Sequence, residues 1–190
     1  MKSPDICPDA CPTRRTALGW LGVGCLAAPL LPAHAQPVSA AAEEAKAPPL
    51  PALGTPLTVP AIDLLRGAGR FDPAAALGKP LLVYWWASTC PFCALQSPGM
   101  EKLWRSHRGQ HWQMLALSID RKPEDAEAYL QSRGYSFPAA WASPAWRQQF
   151  AKPKGLPITL VAGRDGKLLL AEKGQMFDED IQAIAGLIGA

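Results

Sequence analysis

Histidine, cysteine and charge are all scarce in this 190-residue chain, and each shortage removes a class of function. It holds three histidines and five cysteines. Cys7, Cys11 and Cys25 lie close to the N-terminus, so the rest of the chain keeps only Cys90 and Cys93. A structural zinc site needs about four ligands, two Cys pairs or a pair with histidines. No second pair exists downstream, and His107 and His111 lie some distance away in sequence, so no metal site and no cofactor is expected. Charged residues make up 18%, the formal net charge is +3, and Lys and Arg are dispersed. That leaves no electrostatic footprint for nucleic acid. The apolar run Ala17–Leu31, about 15 residues, contains glycines and a proline and is short for a bilayer-spanning helix. Against these shortages, 48% hydrophobic residues argue against wholesale disorder and permit a real core.

The N-terminal third reads as an export signal and a spacer. "PTRRTALGWLGVGCLAAPLLPAHAQ" pairs Arg14 and Arg15, follows them with the apolar segment and closes on "AHA", a small-x-small cleavage pattern. The arginines resemble a twin-arginine signal, although Ala17 stands where a bulky apolar residue is usual. Cys25 lacks the leucine three residues earlier that a lipoprotein site carries. The expectation is an export signal over 1–35, of Tat type if the arginines act as such, and a membrane tether if it stays uncleaved. Residues 36–56, rich in Ala and Pro, are expected to form a semi-extended linker, with one domain over 57–190.

Within that domain strands and helices alternate. "PLTVPAI" and "GRF" read as short β pieces, and "KPLLVYWWAS" (79–88) as a strand buried on both faces. A helix is predicted from Pro91 to about His107, then a buried strand over 111–120. "KPEDAEAYLQSRG" (122–134) has helix start and stop signals, and "SPAWRQQFA" (143–151) reads as a short helix. "PITLVAG" and "KLLLAEKG" flank Asp165-Gly166, a hairpin turn, and "FDEDIQAIAGLIG" closes the chain as a helix with acids at its start. The order predicts an α/β fold, parallel strands through helical crossovers and then an antiparallel hairpin.

Cys90 falls where the buried strand hands over to a helix, and Pro91 suits the first helical position. First-turn N–H groups there point toward the Cys90 sulfur, and the helix dipole favours its thiolate. Cys93, one turn on, comes within the Cα separation of about 4.4–6.8 Å that a disulfide allows. In exchange, Cys90 would attack a partner disulfide and Cys93 would resolve the mixed disulfide. A permanent disulfide closing so small a loop would constrain the unfolded chain little.

"WWASTCPFC", Pro98 eight residues after Cys90, and "GLPITLV" together resemble the thioredoxin superfamily, and most of all the TlpA/ResA-like thiol-disulfide oxidoreductases of the bacterial periplasm. The resemblance covers about 60–190. It implies a thioredoxin-like fold, a central mixed sheet flanked by helices with an N-terminal β extension. It also implies a nucleophilic Cys90, a resolving Cys93, and a cis-proline at Pro157 that leaves the backbone of Leu156 free for substrate. Trp86 matches the tryptophan beside the active site. A strand-start proline and a plain core aromatic are the bland readings of Pro157 and Trp86. Pro98 matches a proline that kinks the first helix.

Departures from the pattern are equally specific. Thr89 stands where tryptophan is frequent, Gln96 where many relatives carry glutamate, Tyr84 where thioredoxins keep a buried aspartate, and Ile158 where threonine is common. No acid at 84 or 96 is therefore available as proton acceptor for Cys93; Glu101 is a distant candidate and reads better as a solvated surface charge. Pro91 and Phe92, between the cysteines, tune the redox poise. Phe92 offers the Cys90 thiolate neither charge nor donor. This favours a reductase acting on disulfides of exported proteins (apocytochrome c or a copper-centre assembly protein), fed by a membrane donor of the DsbD type. Alternatives are a periplasmic protein binding Cu(I) through the same two thiolates and a dithiol oxidase. A peroxiredoxin-like peroxidase fits poorly, because Ala87 stands where Thr or Ser is required.

Overall fold

The computed structural model describes residues 40–189. The expected export signal over 1–35, with Cys7, Cys11 and Cys25, lies outside the described residues. Among the described residues no helix is long and apolar enough to cross a membrane.

The sheet is built around β3 (Leu81–Trp86), all six residues of which are buried. β4 (Gln113–Ser118) runs parallel to it, pairing Leu81 with Gln113 through to Trp86 with Ser118. β6 (Ile158–Ala162) runs antiparallel on its other side, pairing Trp85 with Ile158. β5 (Ala139–Trp141) is parallel to β4, and β7 (Leu168–Lys173) antiparallel to β6, giving the order β5-β4-β3-β6-β7. α2 (Pro91–His107) joins β3 to β4 and α3 (Pro123–Arg133) joins β4 to β5. Both crossovers step in the same direction across the sheet, and right-handed connections then put both helices on one face.

Alternation along β3 divides the core in two. Leu82, Tyr84 and Trp86 pack with Met100 and Leu103 of α2, Leu130 of α3 and Ile184 of α4 (Asp178–Gly189). Leu81, Val83 and Trp85 pack on the other face with Val59, Ile62, Phe71 and Leu168. That second face is covered by the N-terminal extension, including the antiparallel pair β1 (Ile62–Asp63) and β2 (Arg70–Phe71). Gly134 ends α3 in a left-handed conformation, φ 66°, where a side chain would be strained.

Three expectations differ from the structure. Residues 40–56 are no free linker: α1 (Ala40–Lys46) forms there. The following chain docks, with Lys154 N–H on Pro48 O at 2.8 Å and Gly54 N–H on Leu168 O at 2.8 Å. A segment too poor in apolar residues to fold alone gains its burial from the finished domain, with Leu50 and Leu57 packed on the second core. β5 carries no sequence signal, because three residues of Ala-rich chain have no periodicity. The expected helix over 143–151 contracts to a 3-10 turn, Trp146–Gln148. Trp146 and Phe150 instead pack on Trp85, at ring separations of 6.3 and 5.6 Å. Tertiary packing overrides local propensity there.

Candidate active site

Chain leaving the buried end of β3 turns through residues 87–89 and enters α2 at Cys90. The carboxylate of Asp120, just past β4, fixes that turn. It accepts the Ser88 N–H at 3.0 and 3.1 Å and the Ser88 hydroxyl at 2.7 Å. The Ser118 hydroxyl also donates to it, at 2.7 Å. The Cys90 N–H then closes on Ala87 O at 3.1 Å.

Cys90 has extended backbone, φ −85° and ψ 113°, and caps α2 with its own sulfur: Sγ accepts the Cys93 N–H at 3.2 Å. Helix N-termini present such unsatisfied N–H groups, and they stabilise negative charge there. Pro91 follows at the first helical position. Both cysteines are thiols, Cys90 half-buried and Cys93 buried at 1% exposure. Burial pushes the Cys93 thiol far above the ordinary cysteine range, and its hydrogen bond with Cys90 pushes it further. The pair is therefore asymmetric: an accessible sulfur on the helix N-terminus, and beneath it a thiol that holds its proton.

Two neutral hydroxyls meet the Cys93 carbonyl. The Ser97 hydroxyl donates to the Cys93 carbonyl at 2.7 Å. Tyr84 Oη lies 3.1 Å from Ser97 Oγ and 3.3 Å from the same carbonyl, so the tyrosine donates into this pair. Burial holds the Tyr84 phenol well above its ordinary value, with the neighbouring Cys93 adding to the effect. Gln96, 1% exposed, donates through Nε2 to Thr159 Oγ1 at 2.9 Å and accepts the Met176 N–H at 2.8 Å. It thereby ties α2 to β6 and to the chain entering α4.

The other expected residues fall as follows. The Leu156–Pro157 peptide bond is cis, and Leu156 is half-buried against the core cluster that also receives Cys90. Trp86 is fully buried with its ring 5.4 Å from Tyr129; its indole N–H has no partner among the described residues, so packing alone holds it. Phe92 is 56% exposed and shares an open groove with Leu156 and Phe177. α2 runs through Pro98 without interruption.

Glu101 overturns both of its readings. It is buried at 7% exposure and accepts the Ser136 N–H at 2.8 Å, the Ser136 hydroxyl at 2.7 Å and the Phe137 N–H at 3.1 Å, with Arg105 as a further donor. Burial alone would raise its carboxyl, but Ser136, Arg105 and Phe137 outweigh that and hold it below the usual carboxylate range. It braces α2 against the chain leaving α3; it is neither a surface charge nor a group waiting for the Cys93 proton. Asp120, Ser97, Thr159 and Phe177 escaped the sequence reading. For Asp120 the signal was present, an acid directly after a buried strand, whereas Phe177 is visible only once the groove has formed.

Comparison with known proteins agrees with this fold. A family model described as thioredoxin-like matches residues 78–168. In a crystal structure of a thioredoxin-family thiol:disulfide interchange protein from Chlorobium tepidum, the match covers 74% of this chain and 99% of that one, with 19% identity and a TM-score of 0.65. A secreted Mycobacterium tuberculosis disulfide oxidoreductase, homologous to Escherichia coli DsbE, matches over 68% of this chain and 93% of that one, with 16% identity and a TM-score of 0.56. The family model and the solved structures agree on a thioredoxin-like fold for this domain. The chain is also similar to thiol-disulfide oxidoreductase ResA of Halalkalibacterium halodurans, 22% identical over 58% of this chain and spanning 63% of the length of that relative.

Proposed function

We propose that this protein is a thiol-disulfide oxidoreductase that exchanges disulfides with other exported proteins, Cys90 attacking and Cys93 resolving. The observation that carries the reading is the asymmetry of the pair: Cys90 sits half-exposed on the α2 N-terminus, and the buried Cys93 thiol is held protonated. The Cys90 thiolate attacks one sulfur of a substrate disulfide, forming a mixed disulfide and expelling the other substrate sulfur as thiolate. Cys93 then gives up its proton and attacks the Cys90 sulfur. This closes the Cys90–Cys93 disulfide and releases the second substrate sulfur. The net result is a reduced substrate and an oxidised enzyme. Leu156, preceding Pro157, offers its main chain to an extended substrate segment, and Trp86 and Pro91 hold the dithiol turn.

Reduction is the direction we assign. A dithiol is a strong oxidant when its thiolate form is strongly stabilised. Here the hydrogen bond to Cys90 Sγ comes from one backbone N–H, and exposed Phe92 adds neither charge nor donor. Such a reductase needs a donor of electrons, and a membrane protein of the DsbD type fits an exported, periplasmic chain, tethered if its signal is retained. Reduction of insulin disulfides, followed with acid-quenched alkylation of the protein in cells, tests this. Insulin turnover and a mainly reduced pair in cells are expected. A mainly oxidised pair would reverse the direction, and absence of turnover would end the exchange reading.

A further inference from the structure

Beside the dithiol runs an open groove whose lining includes Phe92, Leu156, Phe177, Lys154, Lys173 and Glu44. Phe177 is 64% exposed, so two phenylalanines and the half-buried Leu156 converge on one concavity facing water. Such a cluster marks a contact surface more often than a chance exposure.

Charge around it is one-sided. Glu44 is already engaged: its carboxylate accepts the Gly155 N–H and pairs with Lys152 Nζ at 3.0 Å. Lys152 is buried and also donates to the carbonyls of Pro153 and Gly155, at 2.7 and 2.9 Å. Three lysines (Lys152, Lys154 and Lys173) thus meet one carboxylate, and the two on the rim are exposed. The position of Lys173 is built in. A Cβ at Gly155 would lie 2.7 Å from Lys173 Cδ and 2.8 Å from Cγ, and Gly155 has φ +103°. Only glycine lets the lysine stem cross the loop leading to Pro157. Nearby acids belong to other surfaces. Asp178 lines a cleft with Gly99 and Lys102, Asp180 accepts the Phe177 N–H at 3.0 Å, and Glu172 lies with Asp180 in the adjoining cleft.

We infer that this groove selects the substrate, taking a polypeptide segment in which an apolar side chain and an acidic residue lie beside the reactive cysteine. The apolar side chain rests on Phe92, Leu156 and Phe177, and the acid meets Lys154 and Lys173. The inference rests on the exchange activity proposed above and adds to it a preference among disulfides.

Two peptide disulfides differing only in Glu or Lys next to a Leu–Cys pair provide the test, with 2-hydroxyethyl disulfide as a small neutral substrate for the full chain. At low salt the acidic peptide should be favoured about tenfold in kcat/KM, shrinking several-fold in high salt. Lys154→Glu with Lys173→Glu should reverse the order of the two peptides, a ratio taken on one protein and so insensitive to loss of folded material. Phe177→Ala should lower kcat/KM for both peptides several-fold. Equal use of the two peptides, or a ratio that charge reversal leaves unchanged, would overturn the groove assignment while the small disulfide still turned over. Loss of turnover with all three substrates would overturn the exchange activity itself.

Discussion

Two buried carboxylates and one buried thiol sit within the same half of this domain, and they are treated in opposite ways. Glu101 and Asp120 are each 7% exposed, each is surrounded by donors, and both act as braces. Cys93 has no carboxylate or cation as a hydrogen-bond partner among the described residues: the Tyr84 and Ser97 hydroxyls meet its carbonyl, and its N–H meets Cys90 Sγ. Buried charge costs little once its lone pairs are filled, and a great deal when they are not. The molecule spends its acids on positioning: Asp120 fixes the turn into Cys90, and Glu101 anchors α2 from the far side. It places no acid beside Cys93, whose buried thiol is held above the ordinary cysteine range.

The contrast can be broken most sharply at the sulfurs. In the reduced protein near pH 8, alkylation of Cys90 should outrun that of Cys93 by at least about a hundredfold, because burial removes both access and thiolate from Cys93. Peptide mapping after brief iodoacetamide treatment reads this directly, and comparable rates would mean that the pair is not asymmetric.

Next in size is the brace. Glu101→Gln should cost about 2–3 kcal/mol at neutral pH, measured by denaturant unfolding, since it strips charge from several hydrogen bonds and leaves donors short of a partner. Its carboxyl is depressed in the folded protein, so its contribution is complete above the unfolded carboxylate pKa, near 4.3. That contribution fades as pH falls through the lower folded value. The wild-type advantage over Glu101→Gln should therefore shrink below about pH 4; an unchanged gap there would remove the carboxylate from the account.

The smallest effect belongs to the neutral centre. Tyr84→Phe removes the hydroxyl that donates to the Cys93 carbonyl and contacts Ser97 Oγ, and leaves Ser97 on that carbonyl. It should cost about 1 kcal/mol and change insulin reduction less than threefold. A larger fall in turnover, at intact stability, would mean that the phenol moves the Cys93 proton and does more than support the turn.

Much of this is legible in the sequence. β3 announced itself as an unbroken apolar run, α3 by Pro123, its first-turn acids and Gly134, and the β6–β7 hairpin by Asp165-Gly166. Cys90 and Cys93 declared their spacing, and the strand-to-helix handover their setting. The residues that escaped depend on contacts distant in sequence. Asp120 meets Ser88 across the sheet end, and Glu101 meets Ser136 and Phe137 beyond an intervening strand and helix. α1 and the docked chain after it draw their burial from a surface that exists only after folding. Periodicity records what a segment wants from its neighbours, and these segments are decided by what distant chain offers them.

The central claim is the division of labour between the sulfurs, and single-cysteine variants test it most directly. Cys93→Ser and Cys90→Ser would each be mixed with a peptide disulfide and their adducts followed by intact mass. The account predicts a lasting mixed disulfide at Cys90 in Cys93→Ser, and no adduct in Cys90→Ser over the same time. A stable adduct at Cys93, or none in either variant, would contradict it.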